Sequence, residues 1–229
     1  MIARMRRNPE RLHLALMLAL TFSTGVIDAV GYLGLDRVFT GNMTGNVVIL
    51  GMALTGADGL PITGPIIALL LFMLGAGIAG RVLRSIAAGW SARSTILFSF
   101  VGLVLATSAI PMLVIDDPTE PLMLAATGAL GLAMGMQAGA ARHIGVKDVT
   151  TVVVTSTIVG LAFDSVFAAR TSGHPWARRV LAVALIGAGA AAGALLLQIN
   201  ISAGMLVAAG ITLVAALLGH LGRPGAAAA

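Results

Sequence analysis

The hydrophobic positions of the chain fall into long, nearly uninterrupted runs, unlike the alternating or one-sided patterns of soluble proteins. A transmembrane helix needs roughly 20 predominantly apolar residues. Six runs meet this requirement, at about residues 12–35, 62–83, 94–115, 121–141, 177–198 and 202–222. The pattern therefore predicts an all-α integral membrane protein with six transmembrane helices.

Two further apolar segments, at about 38–55 and 149–169, begin with the polar runs VFTGNMTGN and DVTTVVVTST. Basic residues favour cytoplasmic loops. If all eight segments crossed the membrane, the loop containing Arg81, Arg84 and Arg93 would lie outside. If the two odd segments instead enter and return on one side, every loop except the one with Asp36 and Arg37 obeys the rule. We therefore expect two re-entrant or broken half-helices, with both termini in the cytoplasm.

The two polar runs belong to an internal repeat. An offset of 111 residues places the segment 33–38 over 144–149 and aligns Thr40 with Thr151 and Thr44 with Thr155. Close to that register, LGAGIAG falls on IGAGAAAG. Each repeat contains three crossings, so the second repeat is inverted relative to the first. We expect two inverted 3+3 repeats, at about residues 12–115 and 121–223, an architecture common among secondary transporters.

Composition supports a membrane protein and excludes several function classes. The chain is 58% hydrophobic and 10% charged, whereas soluble domains carry about a quarter charged residues. The net charge of +5 comes from short clusters between the apolar runs, as expected for topology signals, so we expect no nucleic-acid partner. No stretch is long and polar enough for a second, soluble domain. We expect residues 1–229 to form a single membrane domain.

The first polar run contains candidate substrate-binding residues. A short helix beginning near Thr44 would point its first N–H groups into the membrane interior, where they attract anionic or polar groups. Side chains near that end can cap the helix or bind substrate. The repeat brings a second set from the opposite side. The candidates in the two runs are Thr40, Asn42, Thr44, Asn46, Thr151, Thr155 and Thr157.

Asp28 is a further candidate because a carboxylate inside a membrane span is expensive and is a functional hypothesis by default. It can carry a proton, or it can pair with a cationic substrate or with a basic side chain such as Arg142. It can equally bind the backbone of the broken segment, and the sequence does not decide between these roles. Gln137 aligns close to the Asp28 region and is expected to line the same cavity.

Small residues recur at helical spacing in two spans. Gly75, Gly77 and Gly80 lie in one, and Gly187, Gly189 and Gly193 lie in the other. Such residues let membrane helices approach closely. Packing between the repeats is the expected use, and a homodimer interface through these helices is the alternative.

The sequence carries no pattern typical of an enzyme. It has no Cys, its four His are scattered, and it lacks a nucleotide-binding fingerprint in a suitable context. We therefore expect no catalytic residues, no metal site and no cofactor.

Two stretches resemble a known family. IDAVGYLGLDRVFTGNMTGNVVILGMAL and GMQAGAARHIGVKDVTTVVVTSTIVGLAFD are similar to the diagnostic stretches of the YoaK-like bacterial membrane proteins, a family of unknown function. The resemblance covers essentially the whole chain. The sequence departs from it at Thr155–Ser156–Thr157, where a Thr-Gly pair is expected. The resemblance implies a multi-span, transporter-like protein of the bacterial inner membrane and supplies no substrate.

Taken together, these features favour a secondary transporter of a small polar or anionic solute, with proton coupling through Asp28 as one mode of energisation. Its partners would be a small-molecule or ion substrate and membrane lipid. Two alternatives stay open: a channel of the same architecture that uses the Thr/Asn runs as its filter, and a non-transporting membrane scaffold.

Overall fold

The computed structural model describes residues 8–57, 59–146, 154–163 and 176–223, which form eight α-helices. Six of them are long and apolar enough to cross a membrane: α1 (Pro9–Gly34), α3 (Thr63–Leu83), α4 (Ala92–Val114), α5 (Glu120–Ile144), α7 (Trp176–Leu197) and α8 (Ile201–Gly222). Two are short: α2 (Met43–Leu54) and α6 (Thr155–Phe163). The prediction of an all-α membrane protein with six long apolar helices is confirmed.

The helix ends follow from local sequence signals. α1 begins at Pro9, where a proline fits because the first helical N–H has no intrahelical partner. α5 extends to Ile144 and stops at Gly145, which adopts the left-handed conformation (φ 71°) that a glycine tolerates. α2 has 12 residues, and at 1.5 Å per residue it is about 18 Å long, shorter than the roughly 30 Å hydrocarbon core.

α1 and α5 form the centre of the molecule. In the most apolar 18-residue stretch of each helix, 72% of the residues are buried in α1 and 56% in α5, against 22% in α3 and 17% in α7. α1 packs on α7 and α8, α5 packs on α3 and α4, and α4 packs on α8. The short helices lie at the edge, α2 on α3 and α6 on α7. Each central helix is therefore covered by two long helices that belong to the other half of the chain.

Glycines allow the closest of these contacts. A Cβ atom at Gly25 of α1 would overlap the backbone carbonyl of Ile186 in α7, and one at Gly75 of α3 would overlap that of Leu132 in α5. In a membrane, close backbone approach of this kind replaces the hydrophobic effect as the source of helix association.

The six glycines singled out in the sequence divide into two sets. Gly75, Gly189 and Gly193 are buried and face the backbone of α5 or α1, that is, the other half of the chain. Gly77, Gly80 and Gly187 face open space. The homodimer that we expected as an alternative use stays a prediction, and Gly77 and Gly80 are the glycines that the fold leaves available for it.

Candidate functional site

Asp28 holds the chain that follows α1. It lies in α1, is 8% exposed, and accepts hydrogen bonds on Oδ1 from three consecutive backbone N–H groups. The distances are 3.0 Å to Thr40, 2.7 Å to Gly41 and 3.4 Å to Asn42, and the Thr40 hydroxyl lies 3.4 Å away. These N–H groups precede α2, so the carboxylate sits at the positive end of that helix. Of the roles considered for Asp28, binding the backbone of the broken segment is the one that these contacts establish.

A sharp turn brings the segment back to Asp28. Asp36 and Arg37 both adopt left-handed backbone conformations, with φ of 59° and 57°. The chain then runs back along α1, where Gly31 permits the approach because a Cβ atom there would overlap the carbonyl of Val38. On the outer surface, the Arg37 guanidinium donates to the carbonyl of Gly59 at 2.9 Å. The residues that enter and leave the α2 segment therefore meet at one end of the molecule.

Two asparagines shape the start of α2. Asn42 is the N-cap and accepts a hydrogen bond from the N–H of Gly45 at 3.3 Å. Asn46 is buried and binds both backbone groups of Phe39: its amide donates to the carbonyl at 2.6 Å, and its carbonyl accepts from the N–H at 2.9 Å. Asn46 thus fixes the loop onto the helix that follows it.

A cavity of about 360 Å³ opens beside Asp28. It lies between the start of α2, represented by Asn42 and Thr44, and the start of α6, represented by Thr155. The wall is completed by α1, by the ring of Phe39 and by α7; these other lining residues are Gly25, Phe39, Val154, Ile186, Gly187 and Ala190. Four of the nine expected site residues, Asp28, Asn42, Thr44 and Thr155, therefore line one cavity.

The other five expected residues lie elsewhere. Thr40 and Asn46 are buried in the contacts given above, which face the loop and α1. Thr157 is 9% exposed and does not line the cavity. Gln137 is fully buried in α5, and Thr151 lies outside the described residues. The role of all nine in substrate binding stays a prediction.

Gln137 reaches the site region through Thr24. Its Nε2 donates to the Thr24 hydroxyl at 3.1 Å, which in turn donates to the carbonyl of Leu20. Thr24 is one helical turn before Asp28 and therefore shares its face of α1. The Gln137 Oε1 atom has no partner in the described part of the chain although it is buried. This amide links α1 of the first half to α5 of the second.

Two site residues were missed from the sequence, and one pairing considered for Asp28 is absent from the described residues. Thr24 carried a signal, because TFSTG places hydroxyls one turn before the carboxylate. Phe39 carried none, because an aromatic residue beside a polar run is as typical of a lipid-facing position as of a binding site. Arg142 is exposed in the last turn of α5 and does not pair with the buried Asp28. Across the described ranges, no three His, Asp or Glu side chains are grouped as metal ligands would be.

Comparison with known proteins supplies the family. Residues 16–218 match the model of a protein family described as a protein of unknown function (DUF1275). The chain is also 30% identical over 157 residues to the UPF0700 transmembrane protein YoaK of Bacillus subtilis (strain 168). That match covers 65% of this chain and spans 65% of the length of the relative. No solved structure matches the chain.

Proposed function

The chain belongs to the DUF1275 family, which is YoaK-like and of unknown function, and we propose that it is a secondary transporter of a small polar solute. The observation that carries the proposal is the cavity shared by Asp28, Asn42, Thr44 and Thr155, because its walls come from both halves of the chain at the starts of two short helices. Solute sites of secondary transporters commonly lie between repeats, at discontinuous helices.

The proposal includes two inverted halves. The end of α1, the start of α3 and the start of α5 line one pocket, through Leu35, Gly64 and Glu120. The start of α1, the end of α5 and the start of α7 line another, through Glu10, Ile144 and Arg178. α1 and α5 therefore run in opposite directions, as the central helices of inverted repeats must. The matching packing of α1 with α7 and of α5 with α3 supports the same arrangement.

The same pockets support two segments that do not cross. α1 ends where α3 begins, which supports an α2 segment that returns to its side of entry. The hydrogen bond from Arg37 to Gly59 joins the two flanks of that segment directly. α5 likewise ends where α7 begins, which supports a non-crossing α6 segment. The predictions of re-entrant helices and of repeats at residues 12–115 and 121–223 are kept in this proposal.

Charge favours an orientation in the bacterial inner membrane with both termini in the cytoplasm. The end that contains Arg178 also holds the basic residues 81, 84, 93 and 142 of the neighbouring helix ends. The opposite end holds the acidic residues Asp36, Asp116, Asp117 and Glu120 together with Arg37. This distribution fits the rule that positive residues stay inside.

The geometry favours a polar solute over the anionic one that the sequence also allowed. The backbone N–H groups of Thr40, Gly41 and Asn42 donate to Asp28, and the N–H of Gly45 donates to the side chain of Asn42. An anionic group would therefore meet a carboxylate, and four N–H groups near the start of α2 are already engaged within the protein. Hydroxyl and amide groups of Thr44, Asn42 and Thr155 remain for a polar ligand.

Reconstitution into proteoliposomes tests the function. The purified chain would be screened with radiolabelled small solutes (amino acids, amines, sugars and carboxylates), with and without an imposed pH gradient. A coupled transporter is expected to accumulate its solute above the outside concentration. Asp28→Asn should abolish this accumulation, and Asp117→Asn should preserve it. Rapid downhill flux that is insensitive to Asp28→Asn would indicate a channel instead, and no flux for any solute would leave a non-transporting scaffold.

A further inference from the structure

The cavity carries a single formal charge on its described walls. Of its ten lining residues, Asp28 is the one ionisable residue, and none is basic. The residue at the equivalent position of α5, 111 positions later, is Gly139, so the second half adds no matching carboxylate or counter-charge there. The basic side chain that reaches α6 from α7, Arg179, donates to the carbonyl of Gly160 at 2.8 Å and does not line the cavity.

One carboxylate oxygen of Asp28 has no hydrogen-bond partner among the described residues. All of its hydrogen bonds within the described ranges end on Oδ1, and Oδ2 accepts none. Its donors there are backbone N–H groups and one hydroxyl, so the negative charge has no cationic partner in the described part of the chain. A buried carboxylate in that state is stabilised by a proton or by a bound cation.

The remaining wall suits an organic cation better than a bare metal ion. Phe39 lines the cavity and is held in place by stacking on Tyr32, with ring centroids 4.8 Å apart. Aromatic faces attract ammonium and guanidinium groups. The cavity of about 360 Å³ holds roughly a dozen waters at about 30 Å³ each, far more than a dehydrated ion needs. Asn42, Thr44 and Thr155 supply oxygen atoms that can accept N–H groups.

We propose that the solute is a small organic cation, of the ammonium or guanidinium class, bound with its charge against Oδ2 of Asp28 and its body against Phe39. Cation and proton exclude each other on this carboxylate, so binding of one cation releases one proton, and transport is cation–proton exchange. This inference rests on the transporter function proposed above and adds the chemical class of the solute.

Other charged groups on the helices packed around Asp28 do not face it. They lie at the end opposite the loop that Asp28 binds, or in exposed turns. On α1, α5, α7 and α8 these groups are Glu10, Arg11, His13, Glu120, Arg142, His143, Arg178, Arg179 and His220, and α2 and α6 contain none. The pH dependence of cation binding is therefore assigned to Asp28.

The test compares ligands of one shape and different charge on the unchanged protein. Guanidinium and urea are both planar and nearly equal in size, and methanesulfonate adds an anion that stays charged at neutral pH. Uptake of each radiolabelled compound would be measured in proteoliposomes that enclose a pH-sensitive dye, with protein-free liposomes as the background. Binding of guanidinium would also be measured in detergent by equilibrium dialysis at pH 6 and pH 8.

Expected results are guanidinium uptake at least tenfold faster than that of urea or methanesulfonate, with alkalinisation of the lumen. Binding in detergent should be several-fold tighter at pH 8 than at pH 6. Asp28→Asn should abolish both, and Asp117→Asn should preserve both. Because the ligand comparison and the pH series use the unchanged chain, they do not depend on how well a variant folds.

The two proposals fail in distinguishable ways. Uptake of urea or methanesulfonate that equals or exceeds that of guanidinium would leave a transporter and overturn the cation class. Asp28-dependent binding of guanidinium in detergent without uptake of any compound would keep the cation site and overturn transport. If guanidinium is neither bound in detergent nor taken up by proteoliposomes, this inference is overturned.

Discussion

The backbone N–H of Gly41 lies 2.7 Å from Oδ1 of Asp28, so a carboxylate inside one apolar helix holds the chain that begins the next. In hydrocarbon an unpaired N–H group costs several kcal/mol, and irregular backbone is tolerated only where protein covers it. Asp28 accepts hydrogen bonds from these backbone N–H groups with one oxygen, and its second oxygen lies beside a cavity. Structural support and a candidate binding role therefore coincide in one side chain.

Replacement of Asp28 separates these two roles. Asp28→Ala removes the acceptor of three N–H groups, two of them buried, and a buried N–H group costs about 1–3 kcal/mol when unpaired, so we expect a markedly lower unfolding temperature. Asp28→Asn keeps an acceptor oxygen and removes a buried charge, so its stability should stay close to that of the unchanged chain. Thermal unfolding in detergent, followed by tryptophan fluorescence, measures both. Equal unfolding temperatures for the two variants would contradict the role given to Oδ1.

Asn46 provides an independent test of how the loop is fixed. Asn46→Ala leaves the N–H and the carbonyl of Phe39 without their partner, a loss of about 1–3 kcal/mol for each group. We expect faster hydrogen–deuterium exchange in the peptide that covers residues 38–46. Val47→Ala is the matched control, because Val47 is the next residue and is 53% exposed. If both variants exchange at the rate of the unchanged chain, the two Asn46 bonds do not hold the loop.

Gly75 and Gly77 form a matched pair on one helix. A Cβ atom at Gly75 would overlap the backbone carbonyl of Leu132, whereas one at Gly77 would meet nothing within 4 Å. Gly75→Ala must separate α3 from α5, with an expected loss of about 1–3 kcal/mol, the range for overpacked cores. Gly77→Ala should be neutral or slightly stabilising, since alanine favours helices. The unfolding temperatures of the two variants in one detergent make the comparison, and a drop confined to Gly77→Ala would refute this packing.

Gln137 is expected to trade stability against function. Its buried Oε1 atom has no partner in the described part of the chain, so Gln137→Leu removes an unsatisfied acceptor and should unfold at the same temperature or a higher one. Gln137→Glu would bury a charge beside Thr24 and should lower the unfolding temperature at neutral pH. In the transport assay, Gln137→Leu should be folded yet slowed, because it removes the hydrogen bond between α1 and α5. An unstable Gln137→Leu variant would show that further hydrogen bonds hold the amide.

The spans could be predicted from the sequence because bilayer thickness fixes the length of apolar helices. The boundaries were accurate to within about three residues, and the largest shifts have local causes, Pro9 at the start of α1 and Gly145 after α5. Asn42 and Thr44 were expected at the start of a short helix, and α2 begins between them at Met43.

The contacts of Asp28 could not be predicted, because they depend on a turn without a sequence signal. Asp36 and Arg37 adopt the left-handed conformation that normally favours glycine, so nothing in the sequence marks the reversal that brings Thr40 and Gly41 back. The sequence left backbone binding by Asp28 as one alternative among several. Only the three-dimensional arrangement shows that one oxygen binds the loop and the other binds nothing in the described chain.

Cysteine labelling tests whether the α2 segment returns to its side of entry. The chain has no Cys, so single substitutions need no further engineering. Asp36 and Ala57 are exposed on the two flanks of α2, and Arg84 is exposed after α3. With a membrane-impermeant maleimide on intact cells, Asp36→Cys and Ala57→Cys should both react, and Arg84→Cys should react only after permeabilisation.

A crossing α2 would give a different pattern. Asp36→Cys and Ala57→Cys would then lie on opposite sides, and only one of them would react before permeabilisation. The Arg37 guanidinium lies 2.9 Å from the carbonyl of Gly59, and this hydrogen bond could not form if the two flanks lay on opposite sides of a bilayer. Labelling of both flanks from one side therefore supports the re-entrant segment on which the shared cavity depends, and labelling of one flank alone would remove the basis for a site between α2 and α6.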